Sequence, residues 1–224
     1  MANTRNIALN VLLKIENEGA YSNIALNNAI KENRLSGVDS SFVSALVYGV
    51  LERRITLDYI IRSYSKIPLR KIETKTKNIL RLGILQLLFM DKVPDSAAVN
   101  ESVNLAKKHK LQKSSGFING ILRNITRAED KYTLPDEKDR ARYLSVKYSV
   151  PENIVKLWVN SYGENNAEQL LASLNGRAKI CCRVNTLRTD ADTLIKKLSD
   201  EGVVAEKIPF IDNALYLENT GRSE

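Results

Sequence analysis

"VPDSAAVNESVNLAKKHKLQKSSGFINGILRNI", residues 93–125, decides how the rest of the chain reads. Pro94 opens it, and Ala98, Val99, Ser102, Val103 and Ala106 recur at the spacing of one buried helical face. That helix runs out in Lys107, Lys108, His109 and Lys110, with Lys113 in the connection. A Ser-Ser-Gly break follows. The next helix repeats Phe117, Ile121 and Ile125 every four residues, with Ile118 and Leu122 alongside, which marks its buried side. Gly116 and Gly120 also lie four apart, although glycine costs about 1 kcal/mol in a helix interior. Asn119, Arg123 and Arg127 form a third line pointing to a polar environment.

Spacing alone leaves two readings open. In one, lysines in a last turn compensate the helix dipole, and the glycines form a strip where another helix backbone approaches closely. In the other, the lysine cluster and Arg123 offer donors to phosphates while Asn119 orders a loop or contacts a base. The charge distribution bears on this choice. Of the 224 residues, 1–128 hold 20 Lys+Arg against 10 Asp+Glu, and 129–224 hold 14 against 16. The basic excess therefore lies wholly in the first half, and such asymmetry points to a polyanionic partner, most often nucleic acid.

Working outward, the first 128 residues read as helix after helix. Ile7, Ala8, Val11, Leu12 and Ile15 mark one buried face, Gly19 breaks it, and Ile24, Ala25, Ala29 and Ile30 mark a second. Asp39 or Ser40 is expected to cap a third helix, which passes Phe42, Leu46 and Val50 and kinks near Arg54 before Leu57, Ile60 and Ile61. Pro68 punctuates. "TKTKNILRLGILQLLFM", residues 74–90, is apolar nearly all round and is the central helix, interrupted by Arg81 and Gln86 and too short to span a membrane. The expected fold is mainly α: an all-α domain over 1–128, a polar linker over 129–140 containing Pro135, and a connecting domain over 141–224. That connecting domain begins with short helices, one started by Pro151 and one closed by Gly176. It ends in a small α+β unit of β-α-β-β order built from "AKICCRVNTLR", "TDADTLIKKLSDEG", "VVAEKI" and "ALYLEN".

The stretch from Pro94 closely resembles the C-terminal helical pair of the NusB family, through Pro94, Asn100, Glu101, Ala106, Lys107, Lys108, Gly116, Phe117, Asn119, Gly120, Ile121 and Leu122. Arg5, Ala8 and Leu12 resemble the family's opening, and Gly49 and the region of Asp58 resemble its middle. Two kinds of protein carry this domain. Free antitermination factors end soon after "NGIL". In bacterial 16S rRNA cytosine-C5 methyltransferases of the Sun/Fmu type (ribosomal RNA small subunit methyltransferase B) it precedes a connecting domain and a catalytic Rossmann-like domain. Tyr148, Ser149, Pro151 and Trp158 resemble a stretch of those enzymes, and Arg183, Asn185, Leu187 and Arg188 resemble a strand of their N-terminal module.

The resemblance implies an RNA-recognition portion that binds 16S ribosomal RNA for a catalytic domain lying past Glu224. S-adenosylmethionine is then the cofactor of the full-length enzyme, with no cofactor held by this chain. The alternative it leaves is a stand-alone antitermination adaptor for RNA and a protein partner. Arg5, Lys107, Lys108, Lys113 and Arg123 are the expected phosphate contacts, with Asn119 and Arg127 beside them and Arg183, Asn185 and Arg188 from the second domain. The family's nucleophilic cysteine sits in a Pro-Cys loop. Cys181-Cys182 lack the preceding proline and are expected to be buried and structural. No GxGxxG, P-loop or metal-ligand spacing occurs. His109 is expected on the surface, and nothing in the sequence brings Asp58 and Glu101 together as a paired acid. Two adjacent cysteines and no secretory or membrane segment lead to the expectation of a reducing, cytoplasmic setting.

Overall fold

The computed structural model describes residues 3–174, 179–218 and 220. Its mainly-α architecture, with a small β-α-β-β unit at the end, is the expected one. In chain order the helices are α1 (Thr4–Glu18), α2 (Ser22–Glu32), α3 (Gly37–Glu52), α4 (Arg54–Tyr64), α5 (Thr74–Phe89), α6 (Asp95–Lys108) and α7 (Gln112–Arg127). After them come α8 (Arg140–Tyr148), α9 (Glu152–Tyr162), α10 (Glu164–Ser173), β1 (Ile180–Arg183), α11 (Ala191–Asp200), β2 (Val204–Lys207) and β3 (Ala214–Glu218).

Most of the periodic faces read from sequence become the first core, but α2 is turned from the expected face, with Ile24 exposed and Leu26 buried beside Ala25. Ile7, Ala8, Val11 and Leu12 of α1 are buried against α3 and α5, and Gly19 ends α1 in the left-handed conformation at φ +67°. The start of α3 differs from expectation. Helical structure begins at Gly37, because Ser40 turns its hydroxyl back to the Gly37 carbonyl (3.0 Å) and so sits inside the first turn. The break near Arg54 is real, with Arg53 separating α3 from α4.

The central helix is α5, packed on α1, α3, α4, α6 and α7. Ile79, Leu80, Leu82, Ile84 and Leu85 are buried on different sides of it, as an all-round apolar helix requires. Its two polar interruptions are buried too, and both have partners. Gln86 donates to the Leu82 carbonyl (2.7 Å) and accepts from the Arg5 Nε (2.7 Å). Arg81 grips Asp58 of α4 with two nitrogens (2.7 and 2.9 Å) and Glu16 of α1 with a third (2.9 Å). An apolar helix is thereby pinned in one rotation by charge-assisted bonds to two neighbours.

Burial pushes the Glu16 carboxyl up. The Asn78 amide and the positive charges of Arg81, Lys77 and Arg54 outweigh it and hold the group below its ordinary value of 4.5. A carboxylate depressed in the folded state contributes stability that is present above the unfolded value and lost as pH falls through the folded one. The expected outcome is a stability that drops as pH is lowered below 4.5, with a smaller drop in Glu16→Gln. Equal pH slopes in wild type and variant, measured by urea denaturation, would remove Glu16 as the source.

Residues 129–140, expected as a linker, lie along the helical body. The Tyr64 hydroxyl donates to the Lys131 carbonyl (2.7 Å), and Tyr132 packs on the first core. α8 docks on α4, where Thr56 Oγ1 donates to the Val146 carbonyl (2.5 Å) and Ser149 Oγ accepts from the Ile55 amide (3.0 Å). Glu168 of α10 then gathers α8, accepting from Lys147 Nζ (2.9 Å), the Tyr148 hydroxyl (3.0 Å) and Arg140. Beneath this cluster Leu144, Val155 and Leu171 form a satellite core. These attachments put the division between compact units after Asn175, the second unit starting at Gly176, downstream of the 129–140 segment. The expected closing of α10 by Gly176 falls outside the described residues.

In the second unit the three strands pair antiparallel in the order β1-β3-β2. Register places Cys182 with Leu215 on one face and Cys181 with Tyr216 on the other. The cysteines are not buried as expected: Cys181 is exposed and Cys182 half-buried, since β1 has a neighbour on one side only. Val184, Ile208 and Leu215 are the buried apolar residues described in this unit.

Candidate nucleic-acid interface

The stretch over residues 93–125 folds as a helical hairpin. α6 ends at Lys108, Lys110 takes a positive φ of 60°, and the Leu111 amide returns to the Ala106 carbonyl (2.9 Å), which turns the chain into α7. One side of the hairpin buries Ala98, Val99, Ser102, Leu105 and Ala106 from α6 and Ile118, Ile121, Leu122 and Ile125 from α7. Val103, expected inside, is half-buried, with Leu105 in the core instead. The other side is open, and a groove of about 480 Å³ runs along the seam.

Asn100, Val103, Asn104 and Lys107 line that groove from α6, and Ser115, Gly116, Asn119 and Arg123 line it from α7. Towards the other end of the hairpin it meets a second hollow of about 300 Å³ that shares Asn100 and Arg123 and adds Ser96, Thr126, Arg127 and Asp95. The Arg123 Nε donates to the Asn119 Oδ1 (3.0 Å), which holds both side chains on the seam. Among the described residues Lys107, Lys108, Lys113, Arg123 and Arg127 form no ion pair. Their charge is available to a ligand.

The glycine strip is not used for helix packing. A Cβ built on Gly116 or Gly120 would meet nothing within 4 Å. Close packing through glycine occurs on α5 instead, where a Cβ on Gly83 would lie 2.8 Å from both Leu122 Cδ1 and Ser102 Oγ. The fold therefore needs Gly83 bare and has no steric need of Gly116.

The expected residues divide four ways. Lys107, Asn119, Arg123 and Arg127 are brought together along the seam. Lys108 and Lys113 are exposed near the turn of the hairpin without lining the groove. Arg5 is elsewhere, in an internal clamp: it bonds Gln86, lies 5.2 Å from the Phe42 ring centroid, and is half-buried. Burial lowers its pKa, with the Glu101 charge acting against that. In the second unit Arg183 is exposed on β1 and Arg188 is exposed in the turn before α11. Asn185, also exposed, folds its side chain back onto that turn, accepting from the Leu187 amide (3.1 Å).

Three further side chains, Asn100, Asn104 and Ser115, belong to the groove but not to the expected contacts. Their signal was present: residues 100, 104 and 107 repeat at four and three along the polar side of α6. His109 is half-buried, with its Nε2 2.7 Å from the Asn6 Oδ1. Burial, then the charges of Lys75 and Lys108, lower its pKa, so it adds no charge to the basic cluster near neutral pH. Asp58 and Glu101 have separate partners, Asp58 in Arg81 and Glu101 in the charge of Arg5. Among the described residues no helix is long and apolar enough to cross a membrane, and no His/Cys/Asp/Glu group could hold a metal.

Comparison with known proteins agrees with this architecture. The NusB family profile matches residues 2–127, and that of the methyltransferase RsmF/B-like, ferredoxin-like domain matches residues 150–223. The probable ribosomal RNA small subunit methyltransferase B of Bacillus subtilis (strain 168) is 35% identical over 95% of this chain and 47% of its own. The transcription antitermination protein NusB of Nocardioides sp. (strain ATCC BAA-499 / JS614) is 36% identical over 55% of this chain and 90% of its own. The crystal structure of PH0851 superposes with a TM-score of 0.63 at 16% identity, over 99% of this chain and 50% of that one, and so shares the fold. This chain spans about half the length of the methyltransferase B relatives it matches. Through residues 2–127 the chain belongs to the NusB family, and through residues 150–223 it carries a methyltransferase RsmF/B-like, ferredoxin-like domain.

Proposed function

We propose that this chain is the RNA-recognition portion of an S-adenosylmethionine-dependent 16S rRNA (cytosine-C5)-methyltransferase acting in the cytoplasm. The observation that carries the RNA part is the α6–α7 groove, where Lys107, Asn119, Arg123 and Arg127 meet on an open, unpaired basic seam. Phosphate contacts from such cations position an RNA and supply most of its affinity. Arg183 and Arg188 add contacts from the second unit, while Asn185 shapes the turn that presents Arg188. Arg5 supports the surface from within, by fixing α1 against α5.

Catalysis is assigned to the half of the relatives that this chain does not match. S-adenosylmethionine does not fit the residues here. The strand-to-helix turn among the described residues, 184–190 between β1 and α11, holds no glycine. It is closed by its own caps, Asn185 on Leu187 and Asp190 on Thr193. A stand-alone antitermination adaptor accounts for residues 2–127 and leaves residues 150–223 without a role.

The test is equilibrium binding of the chain to a small-subunit rRNA hairpin and to a scrambled hairpin across a salt series. It is repeated with Lys107, Lys108, Lys113 and Arg123 changed to alanine. The expected result is affinity that falls steeply with salt, with a slope reduced by about 0.7 to 0.9 for each phosphate contact removed. A variant that binds as tightly, with the same slope, moves the RNA surface off this hairpin.

A further inference from the structure

We propose that a pocket between α4 and α8 binds a single phosphate group, which bridges Arg62 of α4 and Arg142 of α8 and fastens α8 to the seven-helix body. The site shares no residue with the α6–α7 seam, and it stands independently of the RNA-binding reading.

Tyr59 and Arg62 line the pocket from α4, and Arg142 and Ser145 line it from α8, beside Ile55 and Val146. Its walls are fixed by the two docking bonds of these helices, Thr56 to the Val146 carbonyl and the Ile55 amide to Ser149. Its volume is about 130 Å³. Liquid water takes about 30 Å³ per molecule, so the space suits about four waters or one small tetrahedral anion, and not a base with its sugar.

Four polar groups line this space with nothing to bond. Ser145 is 3% exposed, and among the described residues its hydroxyl has no hydrogen-bond partner. A helical serine commonly turns its hydroxyl to the carbonyl four residues back, as Ser44, Ser63 and Ser102 do in this chain. Ser145 lines the pocket instead. The Tyr59 hydroxyl is likewise unbonded among the described residues, and the Arg62 and Arg142 guanidiniums form no hydrogen bond or ion pair there.

Two guanidiniums on one pocket repel each other where α4 and α8 dock, and an anion between them reverses the sign of the interaction. A guanidinium is a planar fork of donors that suits phosphate oxygens two at a time. The donors come from two helices, so the acceptor needs oxygens on several sides, which a tetrahedral phosphate has and a planar carboxylate lacks. The two carboxylates of the pocket do not fill this role. Asp58 engages both oxygens with Arg81 (2.7 and 2.9 Å). Glu152 is exposed at the start of α9, 3.9 Å from Lys156, and pairs with neither arginine.

The test follows thermal unfolding of the 224-residue chain in inorganic phosphate, against sodium chloride at matched ionic strength. The expected result is a saturable rise in melting temperature with phosphate, about 3–6 °C at ten times the dissociation constant. Phosphate strengthens apolar burial in any protein, so Arg142→Gln and Ser145→Ala separate a site from that general effect. Neither change removes a side-chain bond of the fold, and both variants are expected to melt no lower than wild type without ligand. Each should weaken phosphate binding about tenfold, the share of one hydrogen bond to a charged group. The dinucleotide UpU, whose phosphate is a diester, separates the sources. A rise with both ligands admits a phosphate within a nucleic-acid backbone, whereas a rise with inorganic phosphate alone assigns the pocket to a free or terminal phosphate. Equal rises in wild type and both variants overturn the proposal, as does a wild type that rises no more in phosphate than in chloride.

Discussion

Replacing Arg81 with methionine is expected to destabilise the first unit by about 3 kcal/mol, the low end of the cost of removing one partner from a buried ion pair. Arg81 is 3% exposed, and its nitrogens bond Asp58, Glu16 and Asn78 at 2.7 to 3.1 Å. Methionine fills much of the volume but leaves two carboxylates facing an apolar helix. Asp58 and Glu16 keep side-chain exposures of 16% and 19%, so water relieves part of the loss, which is why the low end applies. Arg81→Lys should fall between, because an ammonium is a point charge and cannot match the two oxygens of Asp58 at once. Removing the acids together with the arginine, as Glu16→Leu/Asp58→Leu/Arg81→Met, should recover part of the stability, since no unpaired charge then remains. Denaturant unfolding followed by helical circular dichroism reads all three. A loss below about 1 kcal/mol for Arg81→Met would mean the cluster is solvated like a surface pair.

The same substitution at two glycines is expected to act with opposite signs. At Gly83 an added methyl would lie 2.8 Å from Leu122 Cδ1 and from Ser102 Oγ. Leu122 is fully buried, and the Ser102 hydroxyl is committed to the Ala98 carbonyl at 2.8 Å, so neither yields cheaply. Overpacking of this kind costs about 1–3 kcal/mol and more than cancels alanine's helical advantage of about 1 kcal/mol. Gly83→Ala should therefore lower the melting temperature by several degrees, about 2–4 °C per kcal/mol for a unit of this size. At Gly116 the methyl meets nothing, so Gly116→Ala should be stabilising by about 0.5–1 kcal/mol. If Gly116→Ala destabilises, the outer side of α7 is covered in solution. If Gly83→Ala is neutral, the α5–α6–α7 contact is looser than the packing implies.

These predictions draw unequally on the sequence. The succession of six or seven helices over the first 128 residues, most of the core positions from Ile7 to Ile125 and the terminal β-α-β-β order were legible there, because burial imposes its period directly on the chain. Ile24, expected on a buried face, is exposed, and Leu26 is buried instead. Helix starts were less so. Ser40 resembles a cap by residue type, yet it bonds back inside the turn. The cysteines were misjudged because an apolar run of strand type does not say whether its strand lies at an edge. Arg5 matched a family motif by position and was expected at a phosphate, while its side chain bonds Gln86, 81 residues away.

By itself the sequence determined the type and order of the elements, the inward side of most helices and the half of the chain that carries the positive charge. Those properties follow from local periodicity and composition, which a single stretch of chain can express. Tertiary structure alone decided which outward sides meet. It put Asn100, Asn104 and Lys107 across from Gly116, Asn119 and Arg123, drew Arg5 and Arg81 into clamps, and made Gly83 a packing glycine and Gly116 an open one. The physical reason is that spacing fixes the direction in which a side chain leaves its helix, whereas what it meets depends on how neighbouring helices pack, through contacts between residues far apart in sequence.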